Sequence, residues 1–227
     1  MQAGSEKTSN LPGDSIPAKE KALQAGAALV QNFDPPKQVC AHLNGFHTYA
    51  DELGRYVETN HYCAQLTEGV RQCLLYDSHG PGARLIGIEY MISPKEFETL
   101  PQEEKKLWHS HVHEVKSGML VMPGPTAPGL LQAWETAETE EMKSVISLYG
   151  KVYHLWQTDR GDKLPIGEPK LMTSFTANGQ LDEAVVQDRD KRFGTDFRRK
   201  MELRDKIEAP KIDENVDAAW KAKEKST

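Results

Sequence analysis

Apolar positions along this chain fall into short groups rather than long stripes. Cys73–Asp77 (CLLYD) and Leu85–Ile92 (LIGIEYMI) are runs of strand length. Ser78-His79-Gly80-Pro81-Gly82 between them is a strong turn signal, so the pair predicts a β-hairpin. Val152–Gln157 and Leu171–Phe175 read as further strands, as does Met119–Met122, which Pro123-Gly124-Pro125 would stop. Trp134 to Tyr149 carries Met142, Val145, Ile146 and Tyr149 at helical spacing. Ser93-Pro94-Lys95-Glu96 has the form of a helix start, with Ser as cap, Pro in the first turn and Glu three residues after the cap. That helix runs toward Leu100, and Pro101 opens a second short one through QEEKKLWH. Thr48 to Tyr62 contains Gly54 and much charge, and reads as a loop with one helical turn.

The two ends differ from the middle. Residues 1–16 are polar, with Gly, Pro and Ser, and are expected to form a disordered tail. Pro17 to about Phe33 is rich in Ala, Lys, Glu and Gln and predicts a helix with a narrow apolar face of Leu23, Ala27 and Val30, ended by Pro35-Pro36. Residues 182–227 alternate in charge without a dense apolar stripe, and are expected to form a partly helical surface extension of a domain spanning 17–181. Strands and helices come in mixed order without a βαβ rhythm. The expected class is therefore α+β, a single domain with a mainly antiparallel sheet flanked by helices.

Composition narrows the function. The hydrophobic fraction of 38% over 227 residues is enough for a core. Acidic side chains (34) outnumber basic ones (28), which argues against nucleic acid as a partner, since phosphate binding relies on clustered Lys and Arg. No apolar run approaches the length of a membrane span, so any lipid contact is expected to be peripheral. The N-terminal residues lack the pattern of a secretory signal. Cys40, Cys63 and Cys73 form no CxxC pair and are odd in number, which favours reduced thiols in a cytoplasmic protein.

The densest chemistry is His109-Ser110-His111-Val112-His113-Glu114. On a strand, His109, His111 and His113 share a face and Glu114 points away; on a helix, His109 and His113 are neighbours and His111 points elsewhere. Either arrangement sets two imidazoles side by side, suiting Zn, Fe, Cu or Ni, with a carboxylate such as Glu114 or Glu89 to complete the site. His42, His47 and His61 offer further imidazoles. The spacing is not the HExxH of zinc peptidases, and there is no GxSxG elbow, P-loop or dinucleotide fingerprint.

Several blocks occur together in order: His42-Leu43-Asn44-Gly45-Phe46-His47, Asn60-His61-Tyr62-Cys63, Val70-Arg71-Gln72-Cys73 with Tyr76-Asp77-Ser78, Gly82 to Tyr90 (GARLIGIEY), Leu107-Trp108-His109-Ser110-His111, and Asp159 to Pro165 (DRGDKLP). Through them the chain, from about Val39 to Phe175, resembles the oil body-associated protein family. The resemblance implies a soluble protein associated with lipid bodies. It also implies that His42, His47, His61, His109, His111 and Glu114 are the pool for any metal site, because these positions match. Asn60 and His113 depart from the plant pattern, which makes His113 a bystander.

Three functional expectations follow. The first is a soluble oil body-associated-like protein, cytoplasmic or at the lipid droplet, holding a divalent transition metal (Fe, Zn or Cu). The second is a metal-dependent enzyme (non-haem iron, zinc or copper) acting on a small or lipidic molecule, with Tyr62, Arg71, Arg84 and Glu89, and also Arg55, as candidate substrate-binding residues. The third is a non-catalytic protein of the droplet surface, contacting lipid through the Ala-rich helix or the charged tail.

Overall fold

The computed structural model describes residues 11–125 and 128–225. Of the expected disordered tail, residues 1–10 lie outside the described residues, and 11–16 are exposed and form no helix or strand.

Seven strands occur among the described residues: β1 (Ala41–Tyr49), β2 (Glu52–Thr67), β3 (Val70–Tyr76), β4 (Leu85–Ile92), β5 (His109–Ser110), β6 (Tyr149–His154) and β7 (Lys170–Thr173). Every pairing between them is antiparallel. Their order is β4-β3-β2-β1-β7-β6, and β4 pairs again with β6, so six strands close into a barrel with β5 beside the start of β6. The α+β class with a mainly antiparallel sheet is as expected. Closure is the addition, and it leaves no open sheet edge between these six strands.

Register fixes what faces inward, because directly opposed residues share a face. Leu43 opposes His61, Gly45 opposes Thr59 and His47 opposes Val57. His61 in turn opposes Leu75, and Cys63 opposes Cys73. Cys73 opposes Glu89 and Leu75 opposes Gly87. Glu89 then meets Val152, Gly87 meets His154, and Val152 meets Met172. The interior is therefore half apolar and half polar. Tyr49, Val57, Cys63, Cys73, Leu75, Met91, Val152 and Met172 form one buried cluster, and His47, His61, Glu89 and His154 are buried beside it.

That polar interior explains the main correction to the sequence reading. Thr48–Tyr62 is not a loop with a helical turn: it holds the end of β1, a tight turn and most of the sixteen-residue strand β2. Its inward positions Thr59 and His61 are polar, and its outward positions Tyr56 and Glu58 face solvent only partly, so the usual apolar alternation is missing. Met119–Met122, expected as a strand, is largely buried but joins the sheet through the single bridge Asn44–Val121 rather than forming a strand. The helix expected to reach Tyr149 spans Leu131–Val145, and Tyr149 begins β6.

Nine helices occur among the described residues: α1 (Ala18–Val30), α2 (Asp34–Lys37), α3 (Pro94–Glu98), α4 (Gln102–Lys105), α5 (Val112–Lys116), α6 (Leu131–Val145), α7 (Glu183–Phe193), α8 (Phe197–Leu203) and α9 (Ala218–Glu224). None is long and apolar enough to cross a membrane. Helices α5 and α6 plug the barrel end near Leu43, where Val115, Leu120, Met142, Val145 and Ile146 pack together. The last three helices do more than extend over the surface. Phe197 of α8 and Trp220 of α9 pack with Phe46, Phe175 and Val186 in a third cluster, each such burial contributing roughly 1.5–3 kcal/mol. Local signals start and stop them: Asp182 and Asp196 accept from first-turn amides of α7 and α8, and Gly194 ends α7 in the left-handed region.

Two buried arginines fasten this layer. Arg189 donates to Asn44 Oδ1 at 2.8 Å and to Asp190, and Arg204 donates to the carbonyls of Leu120 and Val115 and pairs with Glu138 at 3.1 Å. The cysteine expectation is also corrected. Cys63 and Cys73 face each other across β2 and β3 and form a disulfide, while Cys40 is free and exposed. Spacing could not show this, because the strand register, not the sequence separation, brings the two sulfurs together.

Candidate metal centre

The inward face of the barrel gathers imidazoles and carboxylates from five strands and one helix. β1 supplies His47, β2 His61, β4 Glu89 and β6 His154. The HSHVHE segment supplies three more groups by changing structure midway. His109 lies on β5, opposite Gly150; His111 is the residue preceding α5, and Glu114 stands three residues on, on the same helical face. Neither a pure strand nor a pure helix would converge His109, His111 and Glu114, but a strand that turns into a helix at His111 does. His113 lies on the other side of that turn, half-buried and outside the cluster, with its imidazole held below its ordinary range by burial.

The contacts are close. His61 Nε2 lies 3.2 Å from His47 Nε2 and 3.3 Å from Glu89 Oε2. Glu89 Oε1 lies 3.3 Å from His109 Nε2 and 3.5 Å from His111 Nε2. His47 Nδ1 stands 3.2 Å from His154 Nε2. Ligand atoms of His47, Glu89 and His109 lie within 4.8 Å of one another, as do those of His109, His111 and Glu114. All seven groups are at most 3% exposed.

Burial at this density is costly unless the groups are satisfied, and many are not. Both Glu89 oxygens, both His109 nitrogens, and Nδ1 of His61 and of His154 lack a hydrogen-bond partner among the described residues, although the imidazoles approach Glu89 closely. His111 makes the point sharpest. Its Nδ1 is 2.8 Å from the Leu148 carbonyl oxygen, which can only accept, so Nδ1 carries the hydrogen. The neutral ring then presents a bare Nε2 lone pair to the Glu89 carboxylate. Two acceptors at this distance need a cation between them, either a proton or a metal ion.

Charge states follow the same geometry. Burial works against the charged form of His111, but Glu89 and Glu114 overcome it and raise its pKa to about 9. Burial would raise Glu89; His109, His111 and His61 together hold it well below the usual carboxylate range. Burial pushes Glu114 up. Burial, reinforced by His61, lowers His154 to about 3 and His47 well below its ordinary value. His47 and His154 are thus neutral, as ligands must be.

Space is reserved as well. A Cβ on Gly150 would lie 2.4 Å from Glu89 Oε1 and 2.6 Å from His109 Nε2. From outside, the C-terminal segment pins β5: buried Asp217 accepts from Ser110 N (2.9 Å) and Ser110 Oγ (2.7 Å), between the two histidines. Asp217 does so with φ of +58°, a left-handed conformation that a non-glycine residue seldom adopts and that here aims its carboxylate at β5.

Other sequence candidates lie elsewhere. His42 is five residues from His47 and therefore on the opposite face, where it stacks on Tyr62 and meets Asn60 Oδ1 at 3.0 Å. Tyr62 shares that outer face, edge-on to Tyr76. Arg71 turns to Gln65 and to Glu141 of α6. Arg84 closes the β3–β4 turn on Asp77 and lies over Trp156. Arg55 pairs with Asp159 at 2.6 Å, beside Tyr49. Glu89, first considered for substrate as well as metal, is the central carboxylate. His154 escaped sequence reasoning, since it sits 107 residues from His47 and only the folding of β6 into the barrel, between β7 and β4, brings it in. A groove of about 440 Å³ lies over Phe97, Tyr149 and Asp213, and its lining includes no residue of the cluster.

Comparison with known proteins places the chain in a family. A protein family described as a protein of unknown function (DUF1264) matches residues 33–208. Oil body-associated protein 1B of Arabidopsis thaliana is 43% identical over 202 residues, covering 89% of this chain and 80% of the relative. Oil body-associated protein 1A of Zea mays is 43% identical over 208 residues, covering 92% and 84%. Oil body-associated protein 2A of Zea mays is 42% identical over 201 residues, covering 88% and 77%. No solved structure matches.

Proposed function

The chain belongs to the DUF1264 family, with the oil body-associated proteins as relatives, and from that premise we propose that it is a lipid-body-associated protein whose barrel encloses a divalent transition-metal centre. The observation that carries the metal reading is Glu89: a fully buried carboxylate, ringed by three imidazoles, with neither oxygen in a directed hydrogen bond. A cation answers that arrangement. Mixed imidazole and carboxylate donors suit zinc, iron or copper.

The centre would be resident rather than open. Its donors are buried on every strand that supplies them, and the 440 Å³ groove lies apart from it. A closed set of donors favours a structural role, in which binding free energy adds to folding free energy. In such a role the metal neutralises Glu89 and Glu114 and satisfies ring nitrogens that are otherwise buried bare.

Association with a lipid surface would be peripheral. Helix α1 buries no residue, and Leu23, Leu29, Val30 and Phe33 are exposed along it and just beyond. Such a helix can lie in the headgroup region by its apolar side.

The test is elemental analysis of protein purified without a His-tag, followed by thermal melting with and without chelator. Near-stoichiometric zinc, iron or copper, with a melting temperature lowered by chelation, is expected. Absence of a transition metal together with an unchanged melt would overturn the reading.

A further inference from the structure

The donors in the barrel exceed what one ion uses, and they divide. His47 and His61 present Nε2 atoms 3.2 Å apart, and His61 Nε2 is 3.3 Å from Glu89 Oε2. On the other side, His109 Nε2 and His111 Nε2 lie 3.3 and 3.5 Å from Glu89 Oε1. Two donors on one tetrahedral ion with bonds of about 2.0–2.1 Å stand roughly 3.3–3.4 Å apart, which is the spacing found in both sets. Each oxygen of a single carboxylate thus addresses a different group of imidazoles.

The triads His47–Glu89–His109 and His109–His111–Glu114 overlap at His109. One imidazole Nε2 serves one ion, so two ions cannot both take His109. Glu89 resolves the overlap because its two oxygens meet different imidazoles, Oε2 facing His61 and Oε1 facing His109 and His111. We infer that the barrel holds two divalent metal ions bridged by Glu89, one beside His47 and His61 and the other beside His109, His111 and Glu114.

The tautomers are arranged for this. The Leu148 carbonyl holds the His111 hydrogen on Nδ1, so Nε2 is the nitrogen that a metal ion beside Oε1 would take. His154 Nε2, 3.2 Å from His47 Nδ1, can accept from it in the tautomer that leaves His47 Nε2 free toward His61. Outer partners that fix the ring and its tautomer are what metal-bound histidines use. Gly150 leaves open the volume between Glu89 Oε1 and His109 Nε2, which any side chain would occupy.

The inference rests on the metal-centre reading, and stoichiometry separates the two. Untagged wild-type protein is stripped with chelator and titrated with Co(II) alone, reading bound metal per chain, visible absorption and low-temperature electron paramagnetic resonance. Two equivalents bound per chain are expected, with a resonance signal that grows during the first equivalent and falls during the second as bridged ions couple. In Glu89→Gln the bound metal should drop to about one equivalent or less and the coupling should vanish. One equivalent in the wild type, or two with fully additive signals, overturns the bridged pair and leaves a single-ion centre standing. No binding overturns both. Because the wild-type readout stands alone, a poorly folding variant does not blunt the test.

Discussion

Gly150 lies directly opposite His109 in the pairing of β5 with β6, and a methyl group on it would stand 2.6 Å from the His109 ring nitrogen. The glycine is thus a space-making residue in the wall of the centre. Gly150→Ala should lower bound metal at least tenfold while costing only about 1–3 kcal/mol of metal-free stability, the usual range for overpacking. Metal content and chemical denaturation of the stripped protein check this. Full metal occupancy in the variant would show that the space has no bearing on the centre.

Asp217 links the C-terminus to the same site. Its carboxylate holds the Ser110 amide and hydroxyl between His109 and His111. Asp217→Ala should weaken metal binding by about 10–100-fold, the usual effect of removing an orienting group behind metal ligands. Competition with a metal-indicator dye reads the affinity, and unchanged affinity would separate the C-terminal segment from the centre.

The metal-free protein should lose stability on acidification. Burial holds His47 and His154 below their ordinary values, so the unfolded chain binds protons more readily than the folded one. Stability from these groups is present above about pH 6.5 and lost as pH falls toward the folded pKa values. Melting temperature of the stripped protein, followed from pH about 7 to 4, should fall, and His154→Gln should flatten part of that slope. A flat wild-type profile would contradict the buried neutral histidines.

The disulfide can be tested apart from the metal. Oxidised, denatured protein should show one reactive thiol, Cys40, and reduction should expose Cys63 and Cys73 as well. The two cysteines are ten positions apart, so the chain-entropy contribution is about 2.7 kcal/mol. Cys63→Ser with Cys73→Ser should lower the unfolding free energy by about that amount. Three thiols without reductant would remove the bond.

Helix α1 buries no side chain, so deleting residues up to 33 should leave the denaturation midpoint within experimental error while reducing co-flotation with phospholipid-coated triglyceride droplets several-fold. Undiminished flotation would move the lipid contact elsewhere.

How legible all this was in the sequence depended on what each strand faces. The β3–β4 hairpin was legible because Leu74, Leu75, Ile86 and Ile88 are apolar and Gly80-Pro81-Gly82 marks the turn. Strand β2 was not, because His61 and Thr59 face a polar interior and so break the apolar alternation. Strand parity could have parted His42 from His47 once β1 was recognised as a strand. HSHVHE was conspicuous, but its convergence requires a strand-to-helix change at His111 that no single periodicity describes. His154, on YGKVYH, carried no local signal; the long-range pairing of β6 with β7 and β4 makes it a neighbour of His47. The C-terminal segment looked like surface because its apolar residues are sparse, yet Phe197, Val216 and Trp220 are each buried.

Anomalous scattering from crystals of untagged protein, collected across the zinc, iron and copper edges, tests the metal centre most directly. Anomalous density is expected within the cage of His47, His61, Glu89, His109 and His111, against Glu89. A cage without anomalous density, in protein never exposed to chelator, would contradict it.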